Sequence, residues 1–266
     1  MFDSIAGDYD SLNHILSLDV DKIWRKKALK QIVDAPAPAR VLDLACGTGD
    51  FSIAIAKALS RSHKRVGTPI EAHVKAPAKA PVEAQVTSTG FVTGDSGRSD
   101  LMTKGHVTGV DLSEGMLAVM REKVAKAGLT EMISIEEGDG ENLRFPDNTF
   151  DRVTIAFGIR NFEDRPKGLR EMLRVLKPGG RLVILELSRP ENKIIRWFYD
   201  LYFLHILPKI GGKVSGDNAA YAYLPASVAA FPGKKEFSAT MREAGFRAVT
   251  HKAFTLGICR MYTGEK

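Results

Sequence analysis

Cysteine is almost missing from this 266-residue chain. Cys46 and Cys259 stand far apart, so neither a disulfide framework nor a cysteine-based zinc set is available, and no metal is expected. Scarce thiols also fit a reducing compartment, which makes the cytoplasm the expected location. No apolar run is long enough to cross a bilayer: the most apolar stretch, Trp197 to Leu207, is short and is broken by Asp200 and His205. The first residues, MFDSIAGDYD, are acidic and lack the apolar core of a secretory signal. The formal charge of +6 comes in good part from the segment between Arg61 and His106, where seven Lys or Arg meet four Asp or Glu. Outside it the chain is only mildly basic, and no nucleic-acid partner is expected. What is present is an ordinary core-forming composition, 44% hydrophobic and 26% charged, in a length that suits one large domain.

Periodicity divides the chain. Asp19 or Asp21 can cap a helix with Trp24, Ala28, Leu29 and Ile32 at helical spacing, closed by Pro36 and Pro38. Arg40 to Ala45 reads as a buried strand that runs into a turn with Gly47 and Gly49 and a helix from Asp50 to Leu59. From about 60 to 105 no period persists; Gly, Pro, Ser, Thr and Ala dominate, and a disordered insertion is expected. His106 to Asp111 is the next strand, followed by Ser113 as the cap of a helix with Met116, Leu117, Met120 and Val124 on one face. Strands are expected at Met132 to Glu137, Phe150 to Phe157 and Arg181 to Leu187. A helix opens at Pro166 and is stopped by Pro178, Gly179 and Gly180. A helix-rich stretch at 193–231, a helix at Lys234 to Ala244, and strands at Phe246 to Lys252 and Leu256 to Tyr262 complete the chain. Strands alternating with helices imply an α/β, doubly wound, mainly parallel sheet.

The stretch LDLACGTGD sets a strand, a glycine turn and a helix in succession. Gly47 and Gly49 let the backbone turn tightly and approach a ligand, although such a turn can also merely reverse the chain. Asp111 ends the second strand, where a carboxylate can accept ribose hydroxyls or simply face a helix N-terminus. Asp139 follows the third strand and can accept from an adenine amino group or serve as a turn residue in GDGEN. Three such features in this order point to a nucleoside crevice. A dinucleotide fingerprint would want a third glycine where Ser52 stands, so the turn favours a mononucleoside sulfonium ligand.

The segments LDLACGTGD, VDLSEGML, FPDNTFDRVTIAFGIRN, EMLRVLKPGGRLVILELSRP and YAYLPASV together resemble the ubiquinone/menaquinone biosynthesis C-methyltransferases, over almost the whole chain except about 60–105. The resemblance implies a class I methyltransferase (Rossmann-like) fold, with seven strands and a C-terminal antiparallel hairpin. It also implies S-adenosyl-L-methionine as methyl donor and a polyprenyl hydroquinone, demethylmenaquinol first, as substrate. By position it implies cofactor contacts from Asp43, Gly47, Thr48, Gly49, Asp111, Asp139, Gly140 and Ala156. Arg160 and Asn161 would face the substrate ring. Tyr9, Asp10 and Asn13 would belong to an N-terminal lid spanning 1–38. On their own chemistry Tyr221, Tyr223 and Ser227, in the helical stretch 193–231, read as a cap on the substrate side or as plain packing. Gly140 departs from relatives that carry Ala, and Arg144 from many that carry Pro.

Methylating carbon needs an electron-rich ring, which a quinol becomes when a hydroxyl loses its proton. Arg160 is the candidate to stabilise the phenolate because guanidinium stays charged; the alternative is a surface ion pair with Glu163 or Asp164. Asn161 is expected to orient a ring oxygen or a water; His14 and His205 are alternative proton acceptors, with a non-catalytic role the favoured reading of each. Trp197, Phe198, Tyr199, Tyr202 and Phe203 suit a tunnel for the prenyl tail, a membrane contact or an ordinary buried helix. The expected partners are a prenylated quinol and, transiently, a membrane surface, with a homodimer left open. Methylation of another small phenol or amine, and a cofactor-binding subunit without catalysis, remain competing readings.

Overall fold

The computed structural model describes residues 20–35, 38–66, 105–202 and 218–266, and among these the side chains of 62–66 and 218–222 are left aside. Helix α1 (Val20–Ile32) precedes β1 (Arg40–Leu44) and α2 (Asp50–Val66). Then come β2 (His106–Asp111), α3 (Glu114–Lys126), β3 (Ile133–Glu137) and β4 (Phe150–Ala156). A 3-10 turn at Ile159–Asn161 leads to α4 (Arg165–Val175) and β5 (Leu176–Leu187). Helices α5 (Lys193–Leu201), α6 (Asn218–Ala230) and α7 (Lys234–Glu243) precede the hairpin of β6 (Arg247–Phe254) and β7 (Cys259–Glu265).

The seven strands form one sheet in the order β3-β2-β1-β4-β5-β7-β6. The first five are parallel, and β7 inserts antiparallel between β5 and β6. Alternation along each strand supplies two cores. Val41, Val107, Val183 and Leu185 face α1, α2 and α3 through Trp24, Ile55 and Met120. Leu42, Leu44, Ile155 and Ile184 face α4 and α7 through Leu169, Met172 and Phe237. Both faces of the sheet are therefore covered, as a parallel sheet requires. Chain order reverses between β1 and β4, which opens a crevice at their carboxyl ends.

Several expected boundaries move. Ser113 caps α3, its hydroxyl accepting from Met116 N–H, and Asp164 caps α4 ahead of Pro166. Pro178 to Gly180 do not stop that helix: it ends at Val175, and the three residues lie inside β5, where the register jumps from Phe150 facing Leu176 to Arg152 facing Arg181. The last strand starts at Cys259 rather than Leu256, because Thr255, Leu256 and Gly257 adopt positive φ and form the hairpin's turn. Helix α2 continues to Val66, into the stretch read as an insertion, and 67–104 lie outside the described residues. Tyr9, Asp10, Asn13, His14, Phe203 and His205 lie outside them too, and Tyr221 is described by its backbone alone.

Candidate active site

The floor of the crevice is built from strained backbone. Ala45, just past β1, has φ 48°, and Phe157, just past β4, has φ 62°. Residues other than glycine rarely hold such angles, and they do so where the surroundings over-determine the chain. Gly47 follows with φ +56° and Gly49 with φ +82°, and a Cβ on Gly49 would lie 2.4 Å from Met120 Cγ. The turn needs glycine at position 49 for two reasons, backbone angle and space.

A cavity of about 320 Å³ opens on the β2 side of this turn, bordered by Asp111, Leu112, Asp139, Gly140 and Phe162. Asp111 accepts from Gly47 N–H at 2.8 Å and from Ser113 N–H at 2.9 Å, which ties the end of β2 to the turn after β1. Asp139 is exposed and accepts from Glu141 N–H at 2.8 Å, the short-range bond of a turn residue. Gly140 has a local reason to lack a side chain: a Cβ there would meet the Phe162 ring at 2.5 Å.

A larger cavity, about 460 Å³, lies on the other side, reached by α1 and α5. It shares Ala45, Gly47, Ala156 and Phe157 with the smaller one, so these four residues form the junction between them. Asp43 borders it, 1% exposed, with Oδ2 accepting from Ser52 Oγ at 2.5 Å and Oδ1 without a hydrogen-bond partner. Burial pushes its carboxyl up to about 7, against the opposing effects of the Ser52 bond and the Arg25 charge. A buried carboxylate with a vacant oxygen at a cavity wall suits a cationic donor such as an amino acid's ammonium. Arg25 stands nearby, 3.4 Å from Asp50 and 3.5 Å from Asp21, and Thr48 is buried and accepts from Lys123 Nζ at 3.3 Å. Cys46 is a packed thiol 3.5 Å from Met120 Sδ, and burial pushes its pKa up.

Arg160 also borders the larger cavity, and it is buried. Its partner is neither Glu163 nor Asp164 but Glu186, whose Oε1 is 2.9 Å from Nη1. Nη1 also donates to the Phe157 carbonyl, and Nε donates to Ser227 Oγ at 3.3 Å. Among the described residues Nη2 makes no hydrogen bond. Asn161, expected to face the same ring, instead borders the smaller cavity, because the 3-10 turn sends consecutive side chains to different sides. Its Oδ1 accepts from Tyr223 OH at 3.0 Å, so α6 is fastened to this turn twice, through Tyr223 and Ser227. The rest of the larger cavity is mostly apolar, with Trp24, Phe198, Tyr199, Leu224 and Ile258 in its wall.

The structure thus gathers Asp43, Thr48 and Arg160 at one cavity and Asp111, Asp139, Gly140 and Asn161 at the other, with Gly47 and Ala156 between. Sequence reasoning missed Glu186, whose signal was a lone acid in the apolar strand LVILEL, and Arg25, which offered none. Among the described residues no group of three or more His, Cys, Asp or Glu could hold a metal ion, and no helix is long and apolar enough to cross a membrane.

A SAM dependent methyltransferase from Aquifex aeolicus matches this fold with a TM-score of 0.53 at 20% identity, over 90% of this chain and 88% of that one. At that identity the likeness carries the fold alone. The seven-stranded sheet with its antiparallel C-terminal pair is thus the class I methyltransferase fold. The model of the ubiE/COQ5 methyltransferase family matches residues 1–266, and the chain belongs to that family. The ubiquinone/menaquinone biosynthesis C-methyltransferase UbiE of Geobacter sulfurreducens is 44% identical over all of this chain and 87% of its own length. The demethylmenaquinone methyltransferase of Bacteroides fragilis is 40% identical over all of this chain and 91% of its own length. As a member of that family the chain is a methyltransferase.

Proposed function

We propose that the chain transfers a methyl group to a ring carbon of a polyprenyl hydroquinone, demethylmenaquinol first and the methoxybenzoquinol precursor of ubiquinol second. The observation that carries this reading is a buried arginine with one uncommitted nitrogen, Arg160 Nη2, at an apolar-walled cavity that adjoins the nucleoside side. When bound, S-adenosylmethionine supplies an electrophilic methyl on a sulfonium. Asp111 and Asp139 would receive the ribose and adenine, with Gly47, Gly140 and Ala156 allowing close approach, while Gly49, which borders neither cavity, would shape the turn from behind. Asp43 Oδ1 would take the ammonium, and Thr48 lies beside it at the same wall. Arg160 Nη2 would donate to the ring hydroxyl, lowering its pKa so that water can take the proton, and the apolar wall would exclude bulk solvent from the anion. Asn161 with Tyr223 would hold the cap closed over the nucleoside side rather than touch the ring.

The prenyl tail would leave past Phe198, which borders the cavity and is also exposed on α5. Ile194, Trp197, Phe198 and Leu201 recur at helical spacing on that helix and are all exposed, beside Lys193 and Arg196. This face would rest transiently on the anionic lipid surface that holds the substrate. Vesicles containing anionic lipid should co-sediment with the protein at low salt, and no binding would overturn that part. The reaction itself is tested by mass spectrometry of products from the methyl donor with reduced demethylmenaquinone, beside the methoxybenzoquinol. One added methyl on either quinol is expected; methylation of a soluble phenol with neither quinol accepted would sink the assignment.

A further inference from the structure

Glu186 lies near the carboxyl end of β5, fully buried. Its Oε1 accepts from Arg160 Nη1 at 2.9 Å and from Leu187 N–H at 2.8 Å, and its Oε2 accepts from Arg160 N–H at 3.1 Å. The carboxylate is thus fixed in place and holds both the backbone and the side chain of Arg160. Taking two charges out of water is costly, and the pair invites a functional account. Its location offers one. Through Nη1 the guanidinium also touches the carbonyl of Phe157, one of the four junction residues between the two cavities. A ligand with an adenosyl half in the smaller cavity and an amino-acid half at Asp43 must pass this junction, and in the methyl donor the atom joining those halves is a sulfonium. An uncompensated buried guanidinium there would repel it, and the low local dielectric would strengthen the repulsion.

We propose that Glu186 is a positioning residue that also acts electrostatically, cancelling the Arg160 charge at the junction so that the site accepts the cationic methyl donor as readily as its neutral thioether product. The inference rests on the proposed placement of the donor across both cavities, but it needs no particular methyl acceptor. It explains how one arginine can serve an anionic ring without rejecting a cationic partner. Glu186 holds the fork so that Nη2 keeps its donor for the acceptor oxygen, while the pair as a whole stays neutral toward the sulfonium.

The test is the ratio of two affinities, measured by titration calorimetry with S-adenosylmethionine and S-adenosylhomocysteine in the absence of any quinol. The ligands differ by one methyl and one positive charge, so any loss of folded protein weakens both equally and cancels in the ratio. In E186Q the donor should weaken about tenfold more than the product, as expected for one uncompensated charge nearby. In the double variant R160Q/E186Q, with both charges gone, the ratio should return to that of the unaltered protein. If E186Q folds only with ligand present, it is prepared with the thioether and the sulfonium is titrated in competition, which yields the same ratio. Equal loss of both ligands in E186Q would assign Glu186 a purely structural role and overturn the proposal, as would a double variant that keeps the E186Q ratio. A shifted ratio in a protein that methylates neither quinol would leave this inference standing and remove only the substrate assignment.

Discussion

The two cavities that meet at Ala45, Gly47, Ala156 and Phe157 are held together in different ways. Around the smaller one, the carboxylates are fixed by neighbouring backbone: Asp111 by Ser113 and Gly47 N–H, Asp139 by Glu141 N–H. Around the larger one, polar groups are fixed by side chains from distant segments: Arg160 by Glu186 and Ser227, Arg25 by Asp50, Thr48 by Lys123. The first arrangement needs β1 and β2 side by side, since Asp111 reaches Gly47 across 64 positions, but the donors are backbone N–H groups that almost any residue would supply. The second exists only after α1, β5 and α6 have docked. The smaller cavity thus depends on where backbone N–H groups point, and the larger one on which side chains packing brings together.

Replacing Arg160 by Ala should separate the two halves most sharply. Turnover should fall about a thousandfold, as for loss of a donor aimed at developing negative charge, while calorimetry should still detect the methyl donor. Turnover near normal would break the assignment of the acceptor side to this residue. Gly49→Ala attacks the turn between the cavities instead. Its Cβ would collide with Met120 in a backbone conformation that alanine resists, so thermal unfolding should show a loss of about 1–3 kcal/mol. An unchanged melting temperature would mean that the turn relaxes freely.

Asp43→Asn tests the contact between the halves. With its carboxyl pushed up to about 7, Asp43 is largely protonated below that pH in the free protein. Gripping an ammonium requires the carboxylate, so donor binding should release a proton, and affinity should rise with pH until about 7 and then level off. The sign for the unliganded fold is opposite: a raised carboxyl pKa means stability is lost as pH climbs from the ordinary carboxylate range through about 7. Asn should remove both trends and weaken the donor about tenfold at pH 8. Buffer-dependent calorimetry reads the proton directly. The smallest effect is expected of Tyr223→Phe, which deletes one half-exposed bond to Asn161 and should slacken the cap by about threefold in KM, in line with a modest net hydrogen bond. A loss as large as that of Arg160→Ala would show that the cap acts on the chemistry itself.

The sequence by itself determined the sheet, the turn and the capped helices, because these follow from period, glycine and cap residues a few positions apart. Val41 and Leu42 alternate between the two cores as a strand must, and Ser113 caps its helix by a contact three residues long. It did not determine where Pro178 to Gly180 would lie. Helix-breaking residues say only that a helix cannot continue; pairing of Leu176 with Phe150 and of Arg181 with Arg152 carries them along β5 as an irregularity, where Gly179 and Gly180 bond to Lys266. Nor did it show that Arg160 and Asn161, adjacent in the chain, face different cavities, or that Arg160 is paired with Glu186, 26 positions away. Contacts of that kind depend on which side of the sheet a later strand presents. Gly47 and Gly49 were legible as a tight turn from their own stretch of chain; the buried ion pair at the neighbouring cavity was decided only when β5 came to rest beside β4.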